Sequence, residues 1–449
     1  MLRPDDYILI VARRTLMKKC VMKTVLALCA IACFLPGTGS AQSGTREVLL
    51  WTFFNNAVDY WTGRSVELEE KFNIDLKIEV VPQNIFLQRL SECMAEGKNA
   101  PDIVEWMIEY NRILASDPQE SLVIPLDTYV RRSAFVPYVP PGRLSWVTYG
   151  GHLYGLPVEA HPVVLVYNDT LWKKAGVDLE SVVTWDEFFQ AARQLTAKKE
   201  NGKPLHHALP HDSWGGPRLT DTMWMIWQQT GSQIVTSDGR PNFTDPAFRE
   251  FVRKWIAWEK TDVFADWDWG NFSALIANGT YASFVAPDWW VFQVNDAVDA
   301  GQYRFKARAL PVYRRGGPRT SSWGGTFMAI TRTAPHPERL YEVMEYMLYD
   351  RQGVLDRIQS NWGGFALIPA FRSVWDDPIF HQPDPRFGGQ RLAELQTELA
   401  WDSPRIQVGD VFWDAVEVFN ECFPEIRDGR LDLDEGLQKI QEETLGRMK

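Results

Sequence analysis

The sequence predicts an α/β protein of two lobes, each a mainly parallel sheet flanked by helices. Three observations carry this. Strand and helix patterns alternate from residue 47 onward, the later helices carry well-formed start signals, and Gly/Pro breaks are scattered along the whole chain. Residues 47–51 (EVLLW) read as a first strand. Residues 76–81 (LKIEVV) alternate apolar and polar, the pattern of a second. A helical stripe of Phe86, Leu87, Leu90, Cys93 and Met94 follows, and Ile103, Val104 and Trp106 form a short third strand.

Helix punctuation continues the pattern. Thr184-Trp185-Asp186-Glu187 is a capping box, with Phe188, Ala191, Ala192 and Leu195 as an apolar stripe behind it. Asp245 caps a helix with Pro246 at its first position and a stripe of Phe248, Phe251, Val252, Trp255 and Trp258. Pro337 opens another, with Leu340, Met344 and Met347 on one face. The breaks at Pro140-Pro141-Gly142, Gly150-Gly151, Gly215-Gly216-Pro217, Gly316-Gly317-Pro318, Gly324-Gly325 and Gly363-Gly364 suit several crossings between two lobes better than one linker between beads.

The chain has 449 residues, too many for one compact core. Its formal charge is −11; residues 1–41 carry six basic side chains and two acids, which leaves −15 on the rest. Such a body repels phosphate backbones, so nucleic acid is excluded as a partner. The 20 Trp all lie after residue 50. Most are expected in cores and the remainder in a binding cleft.

The N-terminus reads as an export signal. Lys18, Lys19 and Lys23 form a basic region, residues 24–35 (TVLALCAIACFL) an apolar one, and Gly39-Ser40-Ala41 a small-residue cleavage site. The apolar run is too short for a permanent membrane span. Met17 and Met22 are alternative starts, and Arg13-Arg14 loosely matches a twin-arginine motif. Acylation of Cys33 would instead tether the protein to a membrane. Three of the five Cys lie in this leader, and Cys93 and Cys422 are expected as buried unpaired thiols.

An ordered series of motifs runs through the middle of the chain: residues 151–157 (GHLYGLP), 164–168 (VLVYN), 171–176 (LWKKAG) and 184–188 (TWDEF). Residues 100–104 (APDIV), 122–129 (LVIPLDTY), 278–282 (NGTYA) and 323–331 (WGGTFMAIT) support it. On these motifs the chain resembles the family 1 extracellular solute-binding proteins of ABC importers, over essentially all of residues 45–449. The resemblance implies the type II periplasmic-binding-protein fold. It places a signal peptide over 1–41, an N-terminal lobe over 42–157 plus 328–368, and a C-terminal lobe over 158–327 plus 369–449. The crossings are expected near residues 157–161, 323–327 and 364–372, with ligand bound between the lobes.

A sugar presents flat C–H patches and a rim of hydroxyls, so its cleft wants aromatic faces beside charged acceptors. Four places offer that. By resemblance, Trp106 and Glu109 match positions that contact sugar in family members, where the acid is Asp. Glu159 matches a sugar-binding Glu, Trp289 or Trp290 a stacking Trp, and Trp413 a further one. Weaker candidates are Phe54 and Asn55, Asp212 and Trp214, Trp323 with Gly324, and Trp362. The expected partners are a carbohydrate and the permease subunits of an importer, for a monomeric, periplasmic protein without cofactor or metal.

No P-loop, dinucleotide fingerprint, HExxH, CxxC or Gly-x-Ser-x-Gly occurs. His206, His207 and His211 cluster, but Pro210 interrupts them and they read as a polar loop. The rival reading is a secreted glycoside hydrolase, which would also use Trp and paired carboxylates. Repeated βα units of a barrel are not visible, which counts against it. A non-sugar solute, or a chemotaxis sensor built on the same clamp, stays open.

Overall fold

The computed structural model describes residues 45–53, 55–108, 119, 121–197, 199–211, 221–359, 367–409 and 411–447. The segment expected as an export signal, with Cys33, lies outside them. The first sheet contains β1 (Arg46–Thr52), β2 (Ile74–Val80), β3 (Ile103–Met107), β4 (Leu156–Pro157) and β10 (Thr326–Ile330), in the order β2-β1-β3-β10-β4. The pairs β1·β2 and β1·β3 are parallel, while β10 runs antiparallel to β3 and β4. The second lobe has a three-stranded sheet of β5 (Val163–Asn168), β8 (Ser283–Pro287) and β9 (Phe305–Ala309), ordered β8-β5-β9 with both outer strands antiparallel to β5, so the sheets are mixed or antiparallel where mainly parallel ones are expected. Beside it, β6 (Leu209–His211) pairs in parallel with β7 (Phe264–Asp266). A parallel bridge between His207 and Tyr281 ties β6 to β8.

The expected elements form where their patterns put them. The helix Trp185–Thr196 starts at the Thr184–Glu187 capping box, and Pro246–Glu259 starts at Asp245, whose side chain accepts from Ala247 N and Phe248 N. β5 is buried at every position. Val163, Leu165 and Tyr167 face the large core, and Val164 and Val166 face a second cluster with Trp267, Phe272, Tyr281 and Trp290. A strand covered on both faces needs the unbroken apolar run VVLVY seen here. Trp51, Trp61, Trp172, Trp185, Trp224, Trp227 and Trp255 are among the fully covered core side chains. Cys422 is buried as expected, whereas Cys93 is only half-buried because it lies at the edge of the buried stripe Phe86, Leu90 and Met94.

Strand directions decide where the lobes meet. β1 and β3 both end at the edge where β10 begins and β4 ends. In the second lobe, β6, β7 and β8 run together, and β8 ends opposite Val163, the first residue of β5. Carboxyl ends of both lobes therefore surround the segments that connect them.

Those segments form a short three-ply band. Val158 N donates to Thr326 O and Val163 N to Ser321 O on one side; Ala160 N donates to Ile368 O and Ala370 N to Val158 O on the other. Within the band, Gly325 has φ +102°, and a Cβ there would stand 2.2 Å from Arg143 Nη2 and 2.4 Å from His161 Cδ2. Gly325→Ala should therefore lose at least about 2 kcal/mol of stability in urea unfolding. Gly151→Ala, with φ +82° and nothing within 4 Å of the added carbon, should lose about half as much or less.

Candidate functional site at the crossings

Six chain segments converge on the band. Glu159 and His161 lie in its first strand. Trp323, Gly324 and Thr326 lie in its second and Ile368 in its third. Asp288 and Trp289 arrive from the end of β8, Ile108 from the end of β3, and Trp413 from the start of the helix Phe412–Arg427. Because the carboxyl ends of β3 and β8 and the start of a helix all point at the band, residues far apart in sequence meet here.

Buried charge sits at the centre. His161 Nδ1 is 2.5 Å from Asp288 Oδ1, and its Nε2 is 3.5 Å from Glu159 Oε2. Asp288 Oδ2 accepts from Ile368 N at 2.7 Å, and Glu159 Oε2 accepts from Thr326 Oγ1 at 2.9 Å. One imidazole thus ties the first crossing to β8, and each carboxylate ties it to a different neighbour. Burial disfavours the His161 cation, but Asp288 and Glu159 outweigh it and raise its pKa. Burial likewise opposes ionisation of Glu159, yet His161, Arg357 and Thr326 hold its pKa below the ordinary value. The two neighbouring acids thus favour the charged form of His161.

Arg143 completes the cluster. It is fully buried; its Nε donates to Glu159 O at 3.0 Å, and its Nη1 to Ser322 Oγ at 3.0 Å and Gly324 O at 2.9 Å. The guanidinium also lies 4.8 Å from the Phe327 ring centroid. Burial lowers its pKa to about 10, opposed by Glu159 and Asp288. It remains a cation at neutral pH.

The aromatic candidates divide. Trp289 is half-buried and donates from Nε1 to Trp323 O at 3.0 Å. A Cβ on Gly324 would stand 2.9 Å from that same nitrogen, so the glycine lets Trp289 close on the band. Trp323 is buried and meets Trp146 edge to face, which meets Phe412 in the same way. Trp413 is half-buried and donates to Ile108 O at 2.9 Å, joining the C-terminal helix to the end of β3. Trp106 is fully covered, packed against Phe327 and against Gly155, where a Cβ would stand 2.6 Å from its ring. Trp290 turns away, into the cluster of Trp267, Phe272 and Trp269. Asn55 is exposed at the start of the helix Asn55–Gly63. Phe54, Glu109, Asp212, Trp214 and Trp362 lie outside the described residues.

Sequence reading passes over His161, Asp288, Arg143 and the pair Trp267 and Trp269. Two signals were there to be read. Asp288 directly precedes the Trp pair, and residues 266–269 alternate Asp and Trp. Of the three clustered histidines, His206 Nδ1 pairs with Gly279 O at 2.8 Å, whereas His211 sits 3.7 Å from Glu259. Among the described residues no group of His, Cys, Asp or Glu is arranged to hold a metal ion.

A family model described as bacterial extracellular solute-binding protein matches residues 65–385. The chain is 24% identical over 374 residues to the arabinooligosaccharide-binding protein of Halalkalibacterium halodurans, covering 80% of this chain and 79% of that one. It is 26% identical over 348 residues to the protein of the same description from Bacillus subtilis, covering 75% and 76%. Among solved structures it is similar to the sugar-binding protein MalE from Xanthomonas citri (TM-score 0.71, 17% identity, 90% of this chain and 98% of that one). It is also similar to a cyclo/maltodextrin-binding protein complexed with maltotetraose (TM-score 0.67, 17% identity, 91% and 100%). These structural likenesses show the two-lobed fold.

Glu105 offers a test of the buried electrostatics. It is buried under the end of the first sheet, and Trp61 Nε1 donates to it at 3.4 Å. Burial raises its pKa to about 7, helped by the charge of Glu159 and resisted by hydrogen bonds from Thr52, Trp61 and Thr326. The folded protein holds this proton more tightly than an unfolded chain, so the contribution is complete below pH 4.5 and lost as pH rises through about 7. Relative to wild type, Glu105→Gln should gain about 2–3 kcal/mol between pH 4.5 and pH 8, read by urea unfolding at both. A gap that stays constant would mean that Glu105 does not titrate in that window. The motif order, the two-lobed architecture and the match over residues 65–385 agree: the chain belongs to the bacterial extracellular solute-binding protein family.

Proposed function

We propose that this protein is the capture subunit of an ABC importer, closing its two lobes on an uncharged carbohydrate and presenting it to a membrane permease. The observation that carries the reading is that Trp289 and Trp413 both keep partly open rings beside the band, bonded to Trp323 O and Ile108 O. Half-buried indole rings supply stacking surface for the C–H faces of a sugar. The relatives named as arabinooligosaccharide-binding proteins support a sugar ligand. Glu109, Asn55, Phe54, Asp212, Trp214 and Trp362 are further proposed contacts, whereas Trp106, Trp290 and Trp323 are buried in packing and Gly324 makes room for Trp289. The proposed lobe boundaries are 157/158, after β4, 327/328, inside β10, and 368/369, in the third strand of the band.

The three-ply band is the proposed hinge. A ligand that touches both lobes binds the closed form better and shifts the population toward it. No helix among the described residues is long and apolar enough to cross a membrane, and the family's extracellular description supports export by the residue 1–41 signal.

Titration with arabino- and malto-oligosaccharides should change the Trp fluorescence and raise the melting temperature; at 100 times Kd, binding adds about 2.7 kcal/mol. Trp289→Ala and Trp413→Ala should each weaken binding by about tenfold or more. No response to any sugar would defeat the carbohydrate reading. Release of reducing ends from the oligosaccharides would favour the hydrolase instead.

A further inference from the structure

Trp269 is 37% exposed, the one Trp among the large exposed hydrophobic side chains of the described residues. An indole left in water forgoes much of the burial that usually places Trp inside. Its position is specific. It follows β7, whose carboxyl end lies on the same edge as that of β8, which delivers Trp289. Two ring steps connect them: Trp289 to Trp290 at 5.4 Å, then Trp290 to Trp269 at 5.0 Å. Trp267 lies 4.9 Å from Trp269 and stacks on Trp290 at 6.0 Å with an 18° angle. The row begins at the band between the lobes and ends in solvent.

The exposed ring is also held in place. Asp268 Oδ1 accepts from Gly270 N at 3.0 Å and Asn271 N at 3.1 Å, and Asn271 Nδ2 donates to Asp268 Oδ2 at 2.9 Å. Asp268 N donates to the buried Tyr281 hydroxyl, which donates to Asp266 O. The turn is thus anchored on both sides of Trp269. Its polar groups face inward to the turn, leaving the indole as its outward-facing apolar group. A mobile surface side chain would need no such scaffold. A stacking surface does, because each rotamer fixed beforehand is entropy not lost on binding.

We propose that Trp269 is an outer stacking subsite that selects for ligand length, so that chain-like carbohydrates bind better than short ones; this rests on the carbohydrate reading above. On this proposal a short ligand is held at Trp289 and Trp413, and further sugar units reach the exposed ring of Trp269. Trp269 is then a specificity residue, with Trp267 and Trp290 as its support.

Calorimetric titration of wild type, Trp269→Ala and Trp269→Tyr with arabinobiose and arabinopentaose, and with maltose and maltopentaose, tests this. For the series that binds, wild type should prefer the pentasaccharide. Trp269→Ala should weaken the pentasaccharide by about tenfold and the disaccharide by less than twofold. Trp269→Tyr, which keeps an aromatic face, should retain most of the preference. Melting temperatures of both variants should stay within a few degrees of wild type. Equal losses at both lengths, or none at either, would overturn the subsite while leaving sugar binding intact. Wild type that binds both lengths equally would do the same. Wild type that binds neither series would overturn the carbohydrate reading and the subsite with it.

Discussion

The buried ion cluster at the crossings is the interaction on which the architecture rests. His161 between Asp288 and Glu159, with Arg143 beneath, joins the first crossing to the second, to the third through Ile368, and to the end of β8. Charges this deep are costly alone, and removing one partner from such a group costs roughly 3–5 kcal/mol because the others stay buried. The band is therefore connected at a set of points rather than by a smear of apolar contacts. Fixed ion pairs set one geometry for the band.

The same cluster explains the glycines. Arg143 and His161 occupy the volume that a Cβ on Gly325 would need, and Trp289 occupies that of Gly324. Both glycines have positive φ, at +74° and +102°. His161 itself has φ +48°, a strained value for a side chain of its size. Strain and buried charge at one place fit a segment selected for its position and not for its stability.

Chain topology then does the rest. The ends of β7 and β8 and the start of the helix Phe412–Arg427 bring Trp413, Trp289 and the row ending at Trp269 around the band, although they lie up to 144 residues apart in the sequence. Their burial is graded: Trp106 is sealed, Trp289 and Trp413 are half-covered, and Trp269 is the most open. Fully covered rings stiffen the sheet ends, and partly covered ones keep a face for contact.

Local sequence determined the elements of this protein. The capping box at Thr184, the Asp245–Pro246 start, the alternation of residues 76–81 and the apolar run of β5 each depend on near neighbours, so each was legible. Tertiary structure alone decided which Trp of the 289/290 pair turns to the band, that Trp106 is sealed, and that Arg143, His161 and Asp288 form one cluster. Those outcomes depend on which distant side chain fills a given space or neutralises a given charge. Gly155 beside Trp106 and Asp288 beside His161 are 49 and 127 residues from their partners. Such pairings follow from strand direction and packing, which no local pattern records.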